Sequence, residues 1–223
     1  MNYATPCPET NLAPEDSFQF DCCMCGACCR DDRYIALTPQ DIFLLSRGLG
    51  MNSAGFLNVY CDVQRDAGLN GVPIASLRTP GGVCMFHENN LCSVHTARPA
   101  CCRNYPVGTR IEPGGGMAHQ LMRAAPGCGG FGRGPKKTVA RWWRESGMQA
   151  CLPGIHLMEL AARAVTRRLS RDHRERLFNL LCDFDAPESG LTRAHTADFK
   201  TLYPELHTGI EAVLAHAPLL VKP

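Results

Sequence analysis

Cysteine is concentrated in two short stretches of this 223-residue chain, and this clustering constrains the fold more than any other feature. Nine of the fourteen cysteines lie there: Cys22, Cys23, Cys25, Cys28 and Cys29 in the first stretch, and Cys84, Cys92, Cys101 and Cys102 in the second, with Cys128 following. Thiols this dense are either oxidised to disulfides or deprotonated around metal, because free thiols packed together would leave a reactive surface. The chain must therefore fold around its cysteines.

The rest of the sequence favours metal over disulfides. Residues 1–20 carry acidic residues and prolines without the basic and apolar regions of a targeting peptide, and no apolar run approaches the roughly 20 residues that span a bilayer. We therefore expect a cytoplasmic protein with no membrane partner. Thiols stay reduced in the cytoplasm, so the clusters should bind metal or act in catalysis. The net charge of +2 argues against a nucleic acid partner.

The arrangement of elements predicts an α+β fold, predominantly helical, in which an irregular, metal-stapled N-terminal module precedes a helical C-terminal part. We expect an extended segment at residues 1–19, a cysteine-cluster metal-binding domain at 20–134 and a helical extension at 135–223. The region 66–134 is rich in Gly and Pro and should bury little apolar area, so bound metal would add the stability that a small core lacks. The helical part could receive a protein partner of unknown identity.

Helix signals occur in both parts of the chain. Thr38-Pro39-Gln40-Asp41 predicts a helix start with Thr38 as N-cap and Asp41 as its capping-box partner, followed by Ile42, Leu44 and Leu45 on the inner face. After residue 135, helices are predicted over 138–148, 152–169, 172–182 and 197–215. Two buried stripes follow the i, i+3, i+4 pattern: Leu157, Leu160, Ala161, Ala164, Val165 and Leu169 in one, and Phe199, Leu202, Leu206, Ile210 and Val213 in the other.

The spacing of the cysteines suits metal ligation. Cys22-x2-Cys25 lets a tight turn direct two sulfurs at one ion, and adding Cys28 gives the Cys-x2-Cys-x2-Cys run of ferredoxin-type loops. Asn89-Asn90 is a turn signal that would fold Cys84 back against Cys92. Three nearby basic residues, Arg30, Arg98 and Arg103, either offset thiolate charge or form ordinary surface ion pairs. We interpret His87 and His95 as loop residues near the site, with replacement of a cysteine as ligand as the alternative.

Several separated blocks match a known pattern in order: Phe20-x-Cys22-x2-Cys25-x2-Cys28-Cys29, Cys84-x-Phe86, Cys92, and Arg98-Pro99-x2-Cys102-Arg103-x-Tyr105-Pro106. Over residues 20–134 the chain resembles the YkgJ-like cysteine-cluster family, which is marked by a CxxCxxCC motif and described as zinc- or iron-chelating. The resemblance implies a metal site of eight cysteines: Cys22, Cys25, Cys28, Cys29, Cys84, Cys92, Cys102 and Cys128. At the last position the Cys-Pro-Gly common in the family is replaced by Cys128-Gly129-Gly130.

The remaining cysteines fall outside the family pattern. We interpret them as bystanders that pack as small hydrophobic residues: Cys7, Cys23, Cys61, Cys101, Cys151 and Cys182. The eight thiolates implied by the resemblance allow two four-cysteine zinc sites, one iron–sulfur cluster with four further thiols, or two clusters. Three closely spaced sulfurs favour an iron–sulfur cluster, such as 4Fe-4S, over zinc.

Three functions remain open on this evidence. The favoured one is a metal-binding cysteine-cluster protein that carries an iron–sulfur cluster in a redox or accessory role. The alternatives are a zinc-stabilised binding module without catalysis and a metal chelator or carrier. The sequence does not decide whether the chain is an enzyme.

Overall fold

A computed structural model describes residues 11–31, 33–65, 72–112, 115–192 and 198–219. Helices make up 47% of these residues and strands 20%, so the fold is mixed. The prediction of an α+β fold is confirmed, whereas its description as predominantly helical is not. The domain boundaries after residues 19 and 134 stay predictions.

The strands of the described residues are short and form four small antiparallel sheets. In chain order they are β1 (Ser17–Phe20), β2 (Ile35–Leu37), β3 (Cys61–Gln64), β4 (Ile74–Leu77), β5 (His87–Glu88), β6 (Leu91–Cys92), β7 (Val107–Ile111), β8 (Met117–Leu121) and β9 (Phe131–Thr138). β4 is the centre of a three-stranded sheet between β2 and β3, while β1 pairs with β9, β5 with β6 and β7 with β8. The pairing of β1 with β9 brings the chain before the first cysteines next to the chain after Cys128.

The helices are α1 (Pro39–Gly48), α2 (Ser53–Tyr60), α3 (Ala100–Asn104), α4 (Val139–Glu145), α5 (Leu152–Ala162), α6 (Arg171–Leu181) and α7 (Phe199–His216). The helices predicted after residue 135 correspond to α4 through α7. The predicted helix over 152–169 ends early, because Arg163–Thr166 tightens into a 3-10 turn. The first residue of the last predicted helix, Ala197, lies outside the described residues. No helix in the described ranges is long and apolar enough to span a bilayer.

The predicted start of α1 is confirmed in detail. The Thr38 hydroxyl accepts a hydrogen bond from the Asp41 amide at 3.2 Å, and the Asp41 carboxylate accepts one from the Thr38 amide at 2.9 Å. Ile42 and Leu45 are buried as expected. The prediction for Leu44 is wrong, since its side chain is 42% exposed, and Phe43 is buried instead. Successive helical residues are about 100° apart, so the core-facing side of α1 includes 42, 43 and 45 and leaves 44 outside.

One large core joins elements from the whole length of the chain. It contains side chains from α1, α2 and the β2–β4–β3 sheet together with α5, α6 and α7. Phe43 of α1 lies 5.9 Å from the Phe184 ring and 5.6 Å from the Phe199 ring, measured between centroids. The predicted stripe on α7 is buried throughout, and the stripe on α5 is buried except for Val165 and Leu169, which are half-buried.

A smaller aromatic core lies under β1 and β9. Phe20 is its centre, with ring centroids 5.6 Å from Tyr105, 5.2 Å from Phe131 and 5.5 Å from Trp142 in edge-to-face contacts. Such pairs stabilise beyond the apolar area that they bury. Since Phe20 comes two residues before Cys22, this core holds one end of the first cysteine stretch in place.

Candidate metal centre

The first cysteine stretch packs against the second through a glycine. Gly26 has φ of +66°, and a Cβ atom there would lie 2.7 Å from His87 Nε2 and 2.9 Å from the Asn90 carbonyl oxygen. Both the left-handed backbone and the lack of space require glycine at this position. The loop of Cys22 to Cys25 therefore lies directly against the β5–β6 hairpin.

The second stretch folds back as the Asn89-Asn90 turn predicts. Both asparagines have positive φ, 49° and 62°, which suits a two-residue hairpin turn. His87 of β5 pairs with Cys92 of β6. The Cys84 amide then donates to the Cys29 carbonyl at 2.8 Å, which ties the two stretches together by their backbones.

A buried carboxylate positions the helix that bears the last two cysteines of the second stretch. The Ala100 amide, at the start of α3, donates to Asp41 at 3.0 Å, while the same carboxylate caps α1 through Thr38. Burial raises the pKa of Asp41, and the hydrogen bonds from Thr38 and Ala100 oppose that rise. Asp41 thus fixes α3, with Cys101 and Cys102, against α1.

Four cysteine sulfurs accept an amide hydrogen bond from the residue two positions later in the chain. The pairs are Cys22 with Met24, Cys25 with Ala27, Cys84 with Phe86, and Cys92 with Val94. Hydrogen bonds to the charged form of an acid favour that form, so these amides favour thiolates. At Cys25 the amides prevail and the pKa is lowered, whereas at Cys22, Cys84 and Cys92 burial outweighs them and the pKa is raised.

Six of the eight predicted ligand cysteines lie close enough to influence one another electrostatically. We call them the main thiol group: Cys22, Cys28, Cys29, Cys84, Cys92 and Cys102. The pKa of Cys84 is raised to about 11, mainly by burial and in part by the charges of Cys102 and Cys92. Burial likewise raises the pKa of Cys92, with Cys102 again contributing. The charges of Cys28 and Cys102 act on cysteines of both stretches, so the fold brings the two stretches near each other.

The charge of Cys28 raises the pKa of every other cysteine in the main thiol group. The Cys29 thiol donates to the Cys28 sulfur, which lowers the pKa of Cys28 to about 7 and raises the pKa of Cys29. Arg33 and Arg30 also favour the Cys28 thiolate. Sequence reasoning missed Arg33, because its contribution depends on a fold that holds its guanidinium 4.7 Å above the Tyr105 ring.

The other two predicted ligands, Cys25 and Cys128, belong to a second set with Cys23, which we call the small thiol group. The Cys25 sulfur accepts hydrogen bonds from the Ala27 and Gly129 amides and from the Cys23 and Cys128 thiols, and together these lower the pKa of Cys25. Cys128 accepts a hydrogen bond from the Tyr105 hydroxyl, whose pKa is raised to about 12, mainly by burial. Cys23 was interpreted as a bystander, and the structure places it in contact with a predicted ligand.

Cys101 also touches a predicted ligand. The Cys102 thiol donates to the Cys101 sulfur, which raises the pKa of Cys102. The exposed Cys101 in turn donates to the Ala36 carbonyl at 3.4 Å.

Three of the expected bystanders lie away from both thiol groups. Cys61, Cys151 and Cys182 are buried, and burial raises the pKa of Cys61 to about 12 and that of Cys151 to about 11. The remaining expected bystander, Cys7, lies outside the described residues.

The basic residues of the second stretch have different roles. Arg98 lowers the pKa of both Cys22 and Cys92, although burial dominates at each. Arg103 stabilises the backbone at Arg98, since its Nε donates a hydrogen bond to the Arg98 carbonyl at 3.0 Å. The two histidines, His87 and His95, are each in contact with an arginine, Arg30 at 3.1 Å and Arg98 at 3.0 Å.

The donor chemistry of the main thiol group fits a soft metal. All six donors are sulfur, arginine charges lie beside them, and amide groups donate to four of the sulfurs. None of the described cysteines forms a disulfide. Among the described residues, however, no three His, Cys, Asp or Glu side chains are arranged as a ready-made ligand set for one ion, so binding would require the thiols to adjust.

Comparison with family models identifies the cysteine region. Residues 21–128 match the CxxCxxCC family, described as "Putative zinc- or iron-chelating domain". The match begins one residue before Cys22 and ends on Cys128, so it covers both thiol groups. No curated protein and no solved structure matches the chain. The family description supports a metal-binding cysteine-cluster protein, with zinc and iron both open.

Proposed function

The chain belongs, through residues 21–128, to the CxxCxxCC family, and from this premise we propose that its main thiol group holds an iron–sulfur cluster in a redox or accessory role. The observation that carries this proposal is the number of converging sulfurs. A single tetrahedral zinc ion takes four ligands, whereas six thiols influence one another electrostatically here, which supports a larger metal group. Four of them suffice for a cubane cluster, which supplies one-electron transfer when bound.

The residues around the main thiol group suit a charged cluster at the edge of the protein. Cys84 is buried against the main core, while Cys22 is exposed to solvent. One side of the main thiol group is therefore shielded from solvent and the other side is accessible to it, as electron exchange with a partner requires. Arg30, Arg33 and Arg98 offset the negative charge of the thiolates.

A zinc-stabilised binding module is the second candidate, and a specific observation favours it. The four sulfurs that accept amide hydrogen bonds come in two pairs, Cys22 with Cys25 and Cys84 with Cys92. Two such paired loops are a common way to build a four-cysteine zinc site, for which Cys25 would have to leave the small thiol group and join Cys22, Cys84 and Cys92. A chelator or carrier is the third candidate, since the exposed Cys22 would make the bound ion accessible to exchange.

The metal content of protein purified without oxygen separates these candidates. An iron–sulfur protein would show a broad absorption shoulder near roughly 400 nm and equal amounts of iron and sulfide. A colourless protein with about two zinc ions per chain would refute the cluster and establish the zinc module. Metal that passes rapidly to a chelator, with either ion, would identify the carrier.

The ligand assignment can be tested with two cysteines that are matched in burial. Cys84 and Cys151 are each 7% exposed, and each has a pKa raised to about 11 by burial. Cys84 is surrounded by other thiols and Cys151 is not. We expect Cys84→Ser to lose most of its metal and to unfold at a lower temperature, because binding energy is then folding energy. Cys151→Ser should keep its metal, and equal metal loss in the two variants would contradict the assignment.

A further inference from the structure

A cleft between α5, α7 and the two glycines before β8 has no cysteine in its lining. Its volume is about 520 Å³, which lies within the roughly 300–1,000 Å³ of small-molecule sites. Its lining is mainly polar, which favours a charged ligand over an apolar one. We propose that this cleft binds a small cationic amino acid. Such binding goes beyond the proposed metal-binding function and does not depend on it.

The α5 side of the cleft includes the only polar side chains of that helix. Within Leu152–Ala162 these are His156 and Glu159, and Arg163 follows one turn after Glu159. Side chains three and four positions apart in a helix share a face, so all three line the cleft together. The other residues of α5 are apolar, and most of them are buried. Every polar residue of α5 therefore lines the cleft.

The α7 side of the cleft is formed by Tyr203, His207 and Glu211, which are spaced four residues apart. The His207 Nδ1 atom lies 3.4 Å from the Glu211 Oε2 atom, and the ring centroids of His207 and Tyr203 are 5.9 Å apart. The half-buried Tyr203 also packs against the main core. These contacts join the three side chains into one continuous polar wall.

Gly115 forms the third side of the cleft. Its φ is +88°, and a Cβ atom there would lie 2.9 Å from the Glu159 carbonyl oxygen and 3.6 Å from Arg163 Cγ. Both the positive φ and the lack of space require glycine for so close an approach to α5. The chain before β8 therefore lies directly against the charged side chains of α5.

Two opposite charges in the cleft are free to meet a ligand. Glu159 and Arg163 are four residues apart, the spacing at which opposite charges on a helix commonly pair. Within the described part of the chain, however, neither side chain forms an ion pair or a hydrogen bond. Arg163 lies against Gly115 instead, with its Nε atom 3.7 Å from the position of a Cβ atom there. Both charges are therefore available to a bound molecule.

The charges of the cleft indicate the class of ligand. Glu159 and Glu211 are negative, Arg163 is positive, and the imidazoles are neutral, so the complementary ligand has two positive groups and one carboxylate. The carboxylate would pair with the Arg163 guanidinium, and the positive groups with the two glutamates. A phosphate group would be repelled by both glutamates. A metal ion would be repelled by Arg163, and no three His, Cys, Asp or Glu side chains of the described residues are arranged to bind one.

Isothermal titration calorimetry of the full chain with three related compounds tests this class. L-Arginine has two positive groups and a carboxylate, agmatine is the same molecule without the carboxylate, and L-citrulline has a neutral group in place of the guanidinium. We expect L-arginine to bind at least about tenfold more tightly than either of the others, because each of them lacks one charge-assisted contact. If L-arginine did not bind, or bound no more tightly than agmatine and L-citrulline, the proposal would be overturned.

Three variants test whether the ligand binds in this cleft. Arg163→Gln should bind L-arginine at least about tenfold more weakly and lose the preference for L-arginine over agmatine. Glu159→Gln should weaken the binding of L-arginine and agmatine alike. The control is Arg168→Gln, which removes an exposed arginine outside the cleft lining and should bind L-arginine as the wild type does. Wild-type affinity for L-arginine in both Arg163→Gln and Glu159→Gln would place the ligand elsewhere and overturn the proposal.

Discussion

The core of α5, α6 and α7 and the two cysteine stretches are stabilised in different ways. The helical region buries large apolar side chains such as Leu157, Leu202 and Ile210 completely. The cysteine stretches bury few apolar residues and leave Met24 and Leu91 exposed. Their conformation depends on the close contact at Gly26, backbone hydrogen bonds and the interactions of thiols. Packing alone can hold the first region, whereas the second needs polar contacts and, on our proposal, metal.

Two contacts anchor the cysteine stretches to the core. Phe86, two residues after Cys84, stacks on Tyr60 with ring centroids 5.0 Å apart. Asp41 joins the start of α1 to the start of α3 through its hydrogen bonds to Thr38 and Ala100. The candidate metal centre is therefore anchored to the main core at two points, although its own loops are irregular.

The largest loss of folding stability should come from a substitution in the helical region, and this loss should not depend on bound metal. Phe184 is fully buried against Phe43, so Phe184→Ala should lower the free energy of unfolding by about 3–5 kcal/mol through the cavity it leaves. Leu44→Ala, at an exposed position of α1, should change it by less than about 0.5 kcal/mol. Urea unfolding with and without bound metal measures both. If Phe184→Ala lowered the free energy of unfolding only in the metal-bound protein, the distinction between the two regions would be contradicted.

A substitution of Asp41, which connects the two regions, should have an intermediate effect on the free energy of unfolding. Asp41→Ala would leave the Ala100 and Thr38 amides without their buried acceptor, at a cost of about 1–3 kcal/mol. It should also weaken metal binding, because α3 carries Cys102. The control is Asp62→Ala, which removes an exposed carboxylate paired with Arg78 and should cost less than about 1 kcal/mol. Unchanged metal affinity in Asp41→Ala would show that α3 is positioned without this carboxylate.

The smallest expected effect is a decrease in folding stability at high pH that depends on Cys61. The pKa of Cys61 is raised to about 12 by burial, so above pH 9 the unfolded chain loses this proton before the folded one does. The folded state then holds more protons, and stability falls as pH rises from about 9 toward 12. At pH 10 the wild type should lose on the order of 1 kcal/mol more than Cys61→Ala does, relative to pH 7. Parallel pH profiles of the two proteins would contradict the burial of this thiol.

Local signals in the sequence predicted local structure well. The capping box at Thr38 and Asp41, the Asn89-Asn90 turn and the apolar stripe on α7 all depend on residues within a few positions of one another. The error at Leu44 arose because three apolar residues in a row do not show which of them faces the core. The resemblance to the cysteine-cluster family implied a metal site shared by the two cysteine stretches, whereas the spacing alone predicted only contacts within each stretch.

The sequence by itself determined that this chain is built around clustered cysteines and that residues 21–128 match the CxxCxxCC family. Only the tertiary structure divided the thiols into two groups and placed Cys23 with Cys25 and Cys128. It alone brought Arg33 to Cys28 and made Asp41 a link between two helices. The contacts of Cys25 with Cys128 and of Asp41 with Ala100 join residues far apart in the chain, and the pairing of β1 with β9 supports the first of them. No spacing rule along the sequence encodes such distances.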